Sequence, residues 1–155
     1  MYDNLVNFFH LLATAAWIGG MISMDIVFLP SLKFLEPQQA GRLQGIIAKR
    51  FSMIAWSSIL ILLITGYLKT PDGMLADTST EIGLILTIKH IMIAAAIIVG
   101  LTIGLYIVPN LKNNSPKEAE RPSDKFLRFE KILHGLATTN LILGIGILIC
   151  ASMLW

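Results

Sequence analysis

The chain has 155 residues, of which 55% are hydrophobic and only 14% charged, with a mean hydropathy of +0.71. No ordinary soluble domain of this size carries so apolar a composition, so the solvent it implies is the bilayer. The net charge of +2 says little by its amount and more by its distribution, and nothing in the chain resembles a nucleic-acid surface.

Four stretches reach the roughly 20 apolar residues needed to cross about 30 Å of hydrocarbon. They are residues 5–29, 51–68, 82–108 and 132–155, the last extended back to residue 126. The first lacks a basic n-region and a small-x-small cleavage site and runs too long for a signal peptide, so it is expected to span. Pro30 is expected to close it. Gly41 and Gly45 sit in a polar amphipathic stretch before the second span, and Thr70-Pro71-Asp72-Gly73 reads as a turn after it. Pro109 is expected to end the third span. Ser123 reads as the cap of a helix that extends the fourth span back into the preceding connection.

The fold expected is a single all-α domain over residues 1–155, a four-transmembrane-helix bundle without a convincing internal repeat. Lys33, Arg42, Lys49 and Arg50 lie between the first two spans, and Lys112, Lys117, Arg121, Lys125, Arg128 and Lys131 lie around the third connection. The connection after the second span carries Lys69 against Asp72, Asp77 and Glu81. By the positive-inside rule both termini are outside and the basic connections cytoplasmic, in a multi-pass protein of the cell membrane. Anionic lipid accounts for the basic connections. Small residues at Ala96, Gly100 and Gly104 favour close packing of the third span or a homodimer face.

Ionisable residues inside hydrocarbon need a reason. Here they are His10, Asp25, Lys89, His90 and His134. Counted from the outer ends of their spans at 1.5 Å per residue, His10 and His90 lie about 7 to 12 Å deep, at matching depth. Two imidazoles at one level on two helices suit a single metal centre, most economically the iron of haem b. Lys89 points about 100° away from His90 and is the alternative axial ligand or a partner for a haem propionate. His134 is expected to contact Glu130 one turn earlier, with a ligand role as the lesser alternative. Asp25 is expected to pair with Lys49 or Arg50, with proton relay as the lesser alternative.

His10, Thr14, Trp17, Met21 and Met24 fall near one face of the first span, usually a core stripe, but one whose imidazole and thioether groups also suit Cu(I). Cys150, alone in the chain, excludes an intramolecular disulfide and reads as a core residue. No hydrolytic triad or phosphate loop is present, and no catalytic residue is assigned.

Two resemblances follow from these residues. His10-Leu-Leu-Ala-Thr-Ala-Ala-Trp17-Ile-Gly19-Gly20 with Phe28-Leu-Pro30-Ser-Leu, Arg50-Phe51 leading to Thr65-Gly66, Leu86-x-x-Lys89, Val108-Pro109 and Arg128-x-Glu130 resemble the four helices of CopD-type copper-resistance membrane domains. That resemblance implies copper transport or binding, by His10, Met21, Met24 and Cys150. The first-span His followed by Trp17, with Lys89 in the third, also resembles HemJ, a four-helix protoporphyrinogen oxidase that binds haem b, which implies roles for His10 and Lys89. The leading expectation is a haem b protein with His10 and His90 as ligands and Lys89 and Trp17 beside the haem. Its work would be electron transfer or membrane oxidoreductase chemistry with a redox partner protein or quinone. Copper is the alternative.

Overall fold

A computed structural model describes residues 2–70, 78–114, 116 and 122–154, apart from the side chain of Pro37. It is all-helical among these residues. Asp72 and Asp77, most of the expected turn at 70–73, and Lys117 and Arg121 lie outside them. Four helices are long and apolar enough to cross a membrane: α1 (Tyr2–Phe34), α2 (Gln38–Lys69), α3 (Glu81–Asn113) and α4 (Asp124–Ser152).

Two expected boundaries are corrected at prolines. Pro30 and Pro109 do not end their spans; each lies inside a helix that continues, because a π-helical turn precedes it. A proline in a helix lacks its N–H and presses on the carbonyl four residues back, Ile26 or Leu105 here. The turns Met24–Phe28 and Ile103–Ile107 widen the backbone at that point, with Leu29 N–H donating to the Met24 carbonyl and Val108 N–H to that of Ile103. Side chains supply further donors: Ser31 Oγ reaches the Val27 carbonyl at 2.6 Å, and Asn110 Nδ2 the Tyr106 carbonyl at 2.8 Å.

These features are in register. The spans α1 and α3 are both 33 residues long, so each position in α1 has a counterpart 79 further on, Tyr2 against Glu81 and Phe34 against Asn113. Each begins with 22 α-helical residues, and each then makes a five-residue π turn. The proline and the side-chain bond to the turn carbonyl recur at the same offset. A repeat is thus present in the backbone, with a short trace in the sequence where Pro30-Ser-Leu32-Lys33 matches Pro109-Asn-Leu111-Lys112. In this register the counterpart of His10 is Lys89, not His90, and that of Trp17 is Ala96; both members of the latter pair are buried.

The second span also differs from expectation at its start. The helix begins at Pro37 rather than near Phe51, since a proline at the first helical position needs no N–H partner and Gln, Ala, Arg, Leu and Lys in residues 38–50 favour helix enough to carry Gly41 and Gly45. The cap of α4 is as expected: Ser123 has extended backbone and its hydroxyl accepts from Phe126 N–H at 3.2 Å.

The chain divides into two units, Met1–Thr87 and Ile88–Trp155. In the first, α1 packs along α2. Ala13, Trp17, Ile18 and Met21 are buried on α1, and Ser58, Ile59 and Thr65 on α2. Gly20 lets the Phe51 ring lie on α1, since a Cβ there would stand 2.5 Å from Phe51 Cε2. In the second unit, Tyr106 meets Phe129 edge to face with ring centroids 6.1 Å apart, and the Met92 methyl occupies the space left by Gly146.

Candidate metal-handling site in the first unit

The stripe expected on α1 divides by depth of burial. Trp17 and Met21 are core residues, 4% and 6% exposed, whereas His10, Thr14, Met24 and Asp25 are part-buried. Thr14 donates to the His10 carbonyl at 2.7 Å, which commits its hydroxyl to its own helix. Met24 and Asp25 open the π turn, a backbone form often found at functional sites.

His10 reaches across to α2. Its Nδ1 lies 2.7 Å from Thr65 Oγ1, and that hydroxyl, on a residue only 6% exposed, also donates to the Ile61 carbonyl at 2.7 Å. Gly66 flanks the ring: a Cβ there would stand 3.9 Å from His10 Cε1. One turn nearer the N-terminus of α1, Lys69 Nζ donates to Asn7 Oδ1 at 2.8 Å, a second polar tie between the same helices. Thr65 and Gly66 are the site residues that reading for ionisable groups overlooked. Two signals were available: the Thr65-Gly66 pair quoted above, and depth, for Thr65 lies about 5 Å from the C-terminal end of the expected second span at 1.5 Å per residue, close to the distance of His10 from the N-terminal end of the first.

A cleft of about 340 Å³ also opens between α1 and α2, lined by Phe9, Ala13, Met53, Ser57 and Ser58 among others. His10 is not on its wall.

The remaining candidates lie in the second unit. His90 is part-buried, with Nδ1 inaccessible and without a hydrogen-bond partner among the described residues. Lys89 is part-buried beside it, and Cys150 is part-buried on α4. His134 is exposed, and no hydrogen bond or ion pair joins it to Glu130 among the described residues. Lys49 and Arg50, expected near Asp25, are both exposed. His10 belongs to one unit and His90 and Lys89 to the other, so their pairing rests on sequence depth alone. Among the described residues, no three His, Cys, Asp or Glu side chains gather to hold a metal ion.

Four apolar spans with an imidazole and two thioethers on the first make this a multi-pass membrane protein with donors suited to a soft metal. Residues 46–154, well over half of the chain, match the family model for copper resistance protein D. The chain belongs to the copper resistance D family. The match covers α2 beyond its first turns, α3 and α4; His10, Met21 and Met24 precede it. An uncharacterized protein of Aquifex aeolicus (strain VF5) is 28% identical over 92 residues, which cover 57% of this chain and 64% of that protein. The chain thus aligns with somewhat under two thirds of its relative's length. No solved structure matches. The family points to copper, the alternative reading, rather than to haem b.

Proposed function

We propose that the protein binds copper within the membrane and passes it along α1, as part of copper handling at the cell membrane. The observation that carries this reading is membership of the copper resistance D family. The donors on α1 support it and also constrain it. At 1.5 Å per residue, Met21 lies about 16 Å along the helix from His10, so the two cannot hold one ion together. Met21 and Met24, three residues apart, can approach one another on the same face. The arrangement therefore suits successive sites, an imidazole first and a thioether pair deeper, both soft enough for Cu(I). Nothing in that sequence requires a change of oxidation state.

Titrating the detergent-purified protein with Cu(I) against a chromophoric chelator tests this. Stoichiometric binding is expected, weakened roughly tenfold or more by His10→Ala and by Met21→Leu with Met24→Leu, since even residues behind a metal's direct ligands are worth that much. A preparation without copper affinity overturns the proposal. A red preparation whose Soret band shifts on adding dithionite, and loses it in His10→Ala, restores the haem reading in its place.

A further inference from the structure

We infer that Thr65 is a positioning residue that fixes the tautomer of His10, holding the proton on Nδ1 and leaving the lone pair on Nε2 for copper. The inference rests on the reading of His10 as a copper donor, but its first test needs no metal. A threonine hydroxyl has one proton and two lone pairs. Thr65 lies 2.7 Å from the Ile61 carbonyl and 3.5 Å from that of Leu62, and a carbonyl can only accept. The hydroxyl proton is therefore directed into its own helix. The same habit runs through the protein: Thr14, Ser23, Thr70, Thr87, Thr102 and Thr139 each donate to the carbonyl four residues back.

With its proton so committed, Thr65 Oγ1 can meet His10 Nδ1 at 2.7 Å only as an acceptor, so Nδ1 carries the hydrogen. A neutral imidazole has a single N–H, and the other nitrogen is then the base and the ligand. Such a bond behind a metal-binding histidine sets ring orientation as well as tautomer.

The experiment uses full-length protein labelled with ¹⁵N-histidine in detergent micelles, free of metal and held about two pH units above the usual histidine pKa so that the ring is neutral. His10 is assigned by difference from His10→Gln. The wild type should show a protonated Nδ1 and an unprotonated Nε2. Thr65→Ser should keep that pattern, and Thr65→Val, which matches threonine in shape but offers no acceptor, should shift it towards the Nε2–H form. Thr65→Val should also weaken Cu(I) binding by about 10- to 100-fold while Thr65→Ser does not. A wild-type His10 protonated on Nε2, or a spectrum unchanged in Thr65→Val, overturns the inference, and the wild-type spectrum alone decides should that variant not fold. Copper affinity unchanged in Thr65→Val but lost in His10→Ala overturns the positioning role. Wild-type protein that binds no copper refutes the copper reading instead, and the nitrogen shifts still decide the tautomer.

Discussion

Small residues on these helices differ in what they make room for, and that difference decides what an added methyl group costs. At Gly20 a methyl would meet the Phe51 ring, which is stiff and lies on the helix surface, while at Gly146 it would meet the end of Met92. A methionine end swings aside easily. Gly20→Ala is therefore expected to lower stability by about 1–3 kcal/mol from overpacking, less up to about 1 kcal/mol regained from the helix preference of alanine. Gly146→Ala should be neutral or stabilising. Thermal unfolding of the two variants in one detergent checks the contrast, and equal midpoints would contradict it. Reading residue types alone identified His10 as a group needing a partner in hydrocarbon. It did not identify Thr65, because the bond spans 55 positions and a threonine in an apolar run usually bonds its own helix, as this one also does.

Hydropathy located all four spans, and capping chemistry located the start of α4. Ser123→Ala should cost about 1 kcal/mol and Ser123→Asp should keep the cap, measured again by thermal unfolding. A variant as stable as the wild type with alanine at this position would remove the cap from the account. What the sequence concealed was the passage of helix through Pro30 and Pro109. Rules for reading proline assume that the backbone keeps the α-helical hydrogen-bond spacing, so a proline looks like a stop. Widening to a π turn removes that assumption, and nothing local in Met24-Asp25-Ile26-Val27-Phe28 announces it. The correspondence of α1 with α3 leaves only a short trace in the sequence, Pro30-Ser-Leu32-Lys33 against Pro109-Asn-Leu111-Lys112, and the π turn and side-chain bond at the same offset extend it.

For the chain as a whole, charge distribution makes the clearest prediction. In a Cys150→Ser background, Asn4→Cys should react with a membrane-impermeant maleimide on intact cells, and Lys125→Cys only after permeabilisation. The reverse pattern would invert the topology and put His10 near the cytoplasmic face. Membership of the copper resistance D family rests on residues 46–154, while the donors proposed for copper stand on α1 before them. His10 was legible as chemistry in hydrocarbon and in both resemblances, and Thr65 as part of a motif, but that their side chains meet shows only once the helices are placed side by side. The π turn of α1 has a mechanical consequence for that chemistry. The 22 α-helical residues ahead of it run about 33 Å and carry His10, Trp17 and Met21. Met24 and Asp25 belong to the joint at their end, where the hydrogen-bond ladder changes step and a proline follows, the kind of place at which helices bend. For the thioether pair proposed above, a small swing at this joint would move the Met24 sulfur against a Met21 that stays with the helix before it, and so open or close the pair.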